Sequence, residues 1–266
     1  MIEKTNILTP EYRLNTSSGK TLNTAKKYAF YHGKVRVQSG SKVTMIFYDD
    51  KLSISVFDED GKFEINKQGN LYAGYYNHNR KIPINIDWDC QVIDESCVKL
   101  KTELHAGRSS LTPECVTIGL EIDHNMYDKH EGNIPNVEAW AMTLFSQVVI
   151  LYIEHNVPIN ISGIQVWDTP DPYVSANNTS QALPLFRNAV HNNPNFNGRQ
   201  AHLLSGRSLG GGIAYLNALC STFTNVAVSA NLCSGNTPYP TYSWNVMVVA
   251  HEMGHNMGSP HTQSCS

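Results

Sequence analysis

Three histidines and one glutamate lie at fixed intervals in the segment His251–His261, which reads HEMGHNMGSPH in one-letter code. In a helix with about 3.6 residues per turn, His251 and His255 lie on the same face, so both imidazoles can reach one ion. Glu252 follows the first histidine, where its carboxylate can contact a water on that ion. The spacing predicts a catalytic zinc site, and histidines on a solvated helix face are the plain alternative.

The third histidine can join the same site only if the helix ends before it. In a continuous helix, His261 would lie about 15 Å along the axis from His251, whereas Zn–N bonds are about 2.0–2.1 Å long. Gly258 accepts the left-handed conformation that ends helices, and Pro260 prevents the helix from resuming. We therefore expect a sharp turn between His255 and His261.

The H-E-x-x-H-x-x-G-x-x-H spacing resembles that of the metzincin metallopeptidases, and more closely their reprolysin (adamalysin) type. The resemblance implies that His251, His255 and His261 bind Zn²⁺ and leave one position to a water, with Glu252 as the general base. The implied function is that of a zinc-dependent endopeptidase, which hydrolyses peptide or protein substrates by a metal-activated water.

A zinc-stabilised binding or structural module without turnover is the competing interpretation. Structural zinc rarely leaves a coordination position open, and it rarely has a glutamate such as Glu252 directly beside a ligand. The pattern therefore favours the enzyme over the structural module.

Composition and charge bound the remaining choices. The chain has 266 residues and a net charge of −3, so it presents no basic field that would attract nucleic acid. No uninterrupted run of eighteen apolar residues indicates a membrane span. We expect two domains: a β-rich propeptide-like domain over residues 1–111, with a polar lead-in, and a catalytic domain over residues 112–266.

The N-terminal half contains short alternating runs between residues 28 and 76, separated by glycine and aspartate, which predict a meander of antiparallel strands. Residues 1–27 are polar and lack a sustained period, and we expect a loosely held lead-in there. The order of a G-K-V strand, an S-K-V-T-M strand and an acidic turn is similar to the domain that precedes reprolysin-type catalytic domains. The resemblance implies a latent precursor in which this domain contacts the catalytic domain.

Four residues between the two halves are candidates for a ligand that blocks the zinc: Cys90, Cys97, Asp87 and Asp89. A cysteine thiolate is a strong zinc ligand that would displace the catalytic water. The alternative is that the two cysteines form a disulfide with each other or with Cys115. The sequence leaves this choice open.

The C-terminal half alternates strands and helices. Strands are predicted over 116–123, 159–167 and 200–205, and helices over 137–155 and 181–191. This order predicts a mixed α/β (α+β) fold in which helices cover a β-sheet. His202 lies inside an apolar run, which indicates a hydrogen-bonded core residue.

The glycine-rich stretch 210–216 is similar to the reprolysin segment that forms the edge strand beside the active-site cleft. The resemblance implies that Gly212, Ile213 and Ala214 align an extended peptide through their backbone groups. A glycine-rich loop that only turns the chain is the alternative.

Six cysteines and a peptidase motif favour an oxidising, extracellular setting. The first residues lack the apolar stretch of a signal peptide, so we expect a truncated N-terminus. In metzincins a turn with a methionine beneath the zinc follows the third histidine. This sequence ends at Ser266, so we also expect an incomplete catalytic domain.

Overall fold

A computed structural model describes residues 1–76, 79, 89–93, 116–219, 221–233 and 243–261. Within these residues the chain forms two β-sheets and four α-helices. The first sheet has six antiparallel strands, which confirms the predicted meander. Their spatial order is β1 (Ile2–Thr5), β4 (Tyr28–Gly33), β5 (Lys42–Tyr48), β6 (Lys51–Asp58), β7 (Gly61–Gln68) and β8 (Leu71–Tyr76).

The second sheet has eight strands and is mixed. Neighbouring strands run parallel from β2 to β14, whereas β3 and β13 pair with their inner neighbours in antiparallel register. The spatial order is β3 (Thr21–Leu22), β2 (Leu8–Thr16), β11 (Ile159–Val166), β10 (Val116–Ile122), β12 (Gln200–Leu204), β14 (Val226–Ser229), β13 (Gly211–Tyr215) and β9 (Asp89–Ile93).

Helices cover both faces of the eight-stranded sheet. The four helices are α1 (His124–Lys129), α2 (Ile134–Ile153), α3 (Thr179–His191) and α4 (Trp244–Asn256). α2 and α4 share one apolar core with β10 and β11, and α3 packs on the opposite face against β12, β13 and β14. The mixed α+β class predicted from the sequence is confirmed.

The helix α2 lies between the two sheets. It contacts β5 of the six-stranded sheet and β11 of the eight-stranded sheet, and it also packs against α4. By length and composition alone it could cross a membrane, but 61% of its apolar stretch is buried inside the fold. Its apolar residues therefore serve as core residues in this fold.

The expectation of a loosely held lead-in over residues 1–27 is wrong. β2 pairs in parallel with β11, and the side chains of Tyr12 and Leu14 are 0% and 1% exposed. The register is irregular between Leu8 and Arg13, a stretch that contains Pro10, which cannot donate a backbone hydrogen bond. This interruption breaks the alternation of buried and exposed side chains along β2, which explains why the hydrophobic pattern of the sequence does not predict a strand here.

His202 is a core residue, as predicted. Its side chain is 0% exposed, and its Nε2 atom lies 2.8 Å from the Ser229 hydroxyl. Burial lowers the pKa of His202 from 6.5 to about 3, because the protonated imidazole would lose its hydration. The folded protein therefore holds His202 in its neutral form.

We expect this histidine to make the fold sensitive to acid. The unfolded chain takes up the proton near pH 6.5 and the folded chain only near pH 3, so the stabilisation is complete above pH 6.5 and is lost as the pH falls towards 3. The loss approaches about 1.4 kcal/mol per pH unit. Urea unfolding of the metal-free protein between pH 7 and pH 4 measures this loss as a change in the free energy of unfolding. A His202→Gln variant should be less stable at pH 7 but show a shallower decline, and equal slopes would contradict the assignment.

Candidate active site

The helix α4 presents two different faces. Val246, Val249 and Met253 are 0% exposed and pack into the core shared with α2, as their spacing predicts. His251 is half-buried and His255 is buried at 2% exposure. The apolar face of α4 therefore packs into the core, while the His251 and His255 imidazoles lie together on a different face of the helix.

The chain turns sharply after α4, as the sequence predicts. Gly258 has a φ of +96°, in the left-handed region that glycine adopts without strain. The Ser259 amide donates to the Gly254 carbonyl at 2.9 Å, and the Gly258 amide donates to the His255 carbonyl at 2.9 Å. This pair of hydrogen bonds is the Schellman motif, which ends the helix and directs the chain back towards the histidines.

The turn brings the three predicted ligands together. The Nε2 atoms of His251 and His255 are 2.8 Å apart, and each lies 3.1 Å from the Nε2 atom of His261. Tetrahedral zinc with Zn–N bonds of about 2.05 Å separates its ligand nitrogens by roughly 3.3 Å. Three imidazoles that converge at nearly this spacing fit a zinc ion.

The protonation of His251 and His255 suits metal binding. The Nδ1 atom of His255 lies 2.7 Å from the Ser259 carbonyl and can only donate to it, which leaves the lone pair on Nε2. Burial, together with the neighbouring His255 and His261, lowers the pKa of His251 to about 4. Burial likewise lowers the pKa of His255. Neutral imidazoles are the form that binds metal.

Glu252 is fully buried and lies against β13. A Cβ atom built on Gly212 would come within 2.6 Å of Cδ and 2.7 Å of Cγ of Glu252. The absence of a side chain at position 212 therefore leaves the space that the Glu252 carboxyl occupies. The sequence predicts Gly212 as a backbone contact for the substrate. Its second role, which is to leave space for the Glu252 carboxyl, depends on the packing of β13 against α4.

A hydrogen bond from Asn256 forms a second connection between α4 and β13, which the sequence does not predict. The Asn256 side chain is 0% exposed, and its amide nitrogen donates to the Tyr215 carbonyl at 2.8 Å and to the Val226 carbonyl at 3.2 Å. Gln200 donates to its amide oxygen at 2.6 Å. A polar residue directly after the predicted ligand His255 is the sequence signal that could have indicated this connection. Asn256 fixes the ligand-bearing end of α4 to the end of β13.

The expectation that β13 forms a free edge is wrong for this structure. β9 pairs with it in parallel register, so that Gly211 lies opposite Asp89 and Gly212 lies opposite Cys90. The backbone of Gly212, Ile213 and Ala214 therefore lies between β14 and β9. The five residues of β9 are a mixed polar and apolar run without a clear strand period.

Two of the four candidates for a blocking ligand lie in β9. Asp89 and Cys90 belong to this strand, and the structure describes their backbone. Asp87 and Cys97 lie outside the described residues, as does Cys115. The choice between a blocking ligand and a disulfide stays a prediction.

The described part of the chain has a five-strand mixed core, in the order β11-β10-β12-β14-β13. Beside this core lies α4, whose His251 and His255 converge with His261 from the following turn. Residues 112–266 match the family model described as Metallo-peptidase family M12, of the Reprolysin_5 type. This match spans more than half of the chain, which therefore belongs to metallopeptidase family M12 and is a reprolysin-like metzincin metalloendopeptidase.

Two individual proteins are similar to the chain. Snake venom metalloproteinase Ac1 from Deinagkistrodon acutus is 27% identical over 154 residues, which cover 55% of this chain and 72% of that protein. The crystal structure of metalloproteinase-II from Bacteroides fragilis has a TM-score of 0.53 at 13% sequence identity. That alignment covers 98% of this chain and 77% of the other. The second likeness concerns the fold and extends over both sheets.

Proposed function

We propose that this chain is the latent precursor of a secreted zinc endopeptidase in which Glu252 is the general base. The observation that carries the proposal is the convergence of the His251, His255 and His261 Nε2 atoms within 3.1 Å of one another, at the end of the helix that holds Glu252. Family membership supports metal-dependent cleavage of peptide bonds. The venom relative supports a secreted protein.

The proposed roles follow from the chemistry of each group. His251, His255 and His261 would hold Zn²⁺ through their Nε2 atoms. A bound zinc supplies Lewis acidity, which lowers the pKa of water and polarises a peptide carbonyl. Glu252 takes the proton from the attacking water and passes it to the departing amine, so no covalent enzyme intermediate forms.

The proposed substrate is an extended peptide that lies along β13. Gly212, Ile213 and Ala214 would offer it their outward backbone N–H and C=O groups, as in the addition of a strand to a sheet. Gly212 contacts Glu252, so a peptide on this edge passes close to the general base. The proposal places the reacting bond there without fixing which side chains the enzyme prefers.

The proposed latency rests on the position of β9. This strand occupies the edge of β13 that a substrate would need, and it precedes the residues that match the peptidase family. We therefore propose the division into a propeptide-like part, residues 1–111, and a catalytic part, residues 112–266. The propeptide-like part keeps the enzyme inactive by filling the substrate edge.

Weakening β9 should activate the full chain. Replacement of residues 89–93 by a Gly-Ser sequence of equal length lowers the β propensity of the strand and frees the edge of β13. We expect the zinc-loaded variant to cleave an internally quenched peptide at least about tenfold faster than the parent. The same replacement at residues 36–40, an exposed turn, is the matched control. Equal rates for the parent and the β9 variant would contradict the proposed latency.

A further inference from the structure

The N-terminal segment of the chain is built into the peptidase sheet rather than laid on its surface. β2 extends the sheet beyond β11, and Leu8, Tyr12 and Leu14 belong to the apolar core that α2 and α4 form with β10 and β11. The side chain of Ile7 is also buried, at 1% exposure. Loss of this segment would expose the apolar core against which α4, the helix that carries His251 and His255, packs.

A buried carboxylate on α2 depends on the same segment. Glu138 is 2% exposed, and the Tyr12 hydroxyl donates to its Oε1 atom at 2.7 Å. The Thr24 hydroxyl donates to the same oxygen. Both donors come from residues 12–24, and a buried carboxylate that loses its donors is strongly destabilising.

A third connection ties the turn after β2 to the end of β11. Asp168 accepts hydrogen bonds from the Ser17 hydroxyl at 2.7 Å, from the Ser18 amide at 2.8 Å and from the Ser18 hydroxyl at 2.5 Å. The Ser17 amide donates to the Val166 carbonyl at 3.0 Å. These bonds hold the C-terminal end of the pairing between β2 and β11 in register.

β9 lies at the opposite edge of the eight-stranded sheet from β3 and β2. It is a five-residue strand that pairs with β13, whereas β2 has nine residues and brings buried side chains and the donors for Glu138. β2 is the longer of these two N-terminal strands, and its buried side chains join it to the core around α2.

We propose that residues 8–28 are a permanent part of the peptidase fold. When the chain is cut between the N-terminal part and β10, the N-terminal piece stays bound without a covalent link, and its partner is the β11 edge together with Glu138 of α2. The part of the chain that resembles a propeptide then has two separable functions, since β9 covers the substrate edge while β2 completes the core. This proposal rests on the topology of the sheet and not on the role of Glu252 or on latency.

The direct test cuts the chain and follows the pieces. A protease recognition sequence inserted after residue 111 is cleaved, and the product is separated by size exclusion in native buffer, with mass spectrometry of each peak. We expect the two pieces to co-elute and to separate only in denaturant. Separation in native buffer, with the C-terminal piece retaining the melting temperature of the intact chain, would overturn the proposal.

A matched pair of variants distinguishes β2 from the other contacts. Tyr12→Phe combined with Thr24→Val removes two donors to Glu138, and we expect the cut pieces to dissociate at least about tenfold faster than those of the parent. Glu11→Gln changes an exposed residue of the same strand and should leave the rate unchanged. Equal rates for the double variant and the parent would show that these donors do not hold the piece.

Hydrogen exchange on the uncut parent keeps the test independent of how the variants fold. If residues 8–28 belong to the peptidase unit, the amides of β2 exchange as slowly as those of β11. Exchange of the β2 amides at least about tenfold faster than the β11 amides would overturn the proposal.

Discussion

Replacement of Glu252 by alanine should lower kcat/KM for peptide cleavage by about a hundredfold or more, while the protein keeps its zinc. General acid and base groups typically contribute about 10²- to 10⁴-fold to a rate, and the Glu252 carboxyl is the acid–base group next to the predicted ligands. His251, His255 and His261 are the proposed metal ligands, and the Ser259 carbonyl, not Glu252, accepts the hydrogen bond from the Nδ1 atom of His255. Metal analysis and a peptide-cleavage assay on activated protein measure the two effects separately.

Two control variants separate the loss of the general base from the loss of zinc. Glu252→Gln keeps the size of the buried side chain but cannot take up a proton, so its rate should fall about as far as that of the alanine variant. His261→Ala removes a ligand instead, and it should lose both zinc and activity. Cleavage at the parent rate by zinc-loaded Glu252→Ala would remove the assignment of Glu252 as the general base.

Replacement of Gly212 by alanine should lower kcat by about tenfold or more and change KM much less. The new Cβ atom would lie 2.6 Å from Cδ and 2.7 Å from Cγ of Glu252, so the carboxyl must move away from its present position. The backbone N–H and C=O groups of residue 212 stay in place, so binding of an extended peptide along β13 is largely retained. Steady-state kinetics on activated protein, with the zinc content matched, measures both constants.

The control for this substitution is Ala214→Gly, which removes a Cβ atom from the same strand and face. A flexible strand would weaken peptide binding, so we expect this variant to raise KM more than it lowers kcat. If Gly212→Ala instead raised KM and left kcat unchanged, position 212 would contribute to binding alone and would not set the position of Glu252.

Local signals in the sequence predict the convergence of the three histidines. The ligands lie within eleven residues, so the pitch of the helix and the turn at Gly258 bring them together with little dependence on the rest of the fold. The strands and helices of the C-terminal half also have strong periods, and β10, β11 and α2 lie close to their predicted positions. The family match extends over residues 112–266, well beyond this short motif.

Long-range pairing is what the sequence does not predict. β2 has an apolar period interrupted at Pro10, and its partner β11 lies about 150 residues further along the chain. β9 is a short strand whose pairing with β13 depends on the whole eight-stranded sheet. The contact between Gly212 and Glu252 requires the register of β13 against α4, which no local pattern contains.

These long-range contacts carry the proposed regulation. The motif by itself specifies a metal and a reaction. The covered edge of β13 supports a latent state, and the buried donors around Glu138 support a permanent role for residues 8–28. A sequence comparison restricted to residues 112–266 would miss both.

The most direct test of the proposed function is a zinc titration followed by a cleavage assay. The metal-free full chain, with residues 89–93 replaced by the Gly-Ser sequence, is titrated with Zn²⁺ and tested on a diverse peptide library. We predict one zinc per chain and peptide cleavage that rises in proportion to bound zinc up to that point. Binding of one zinc with every peptide left intact would contradict the proposed peptidase and favour a zinc-stabilised structural module.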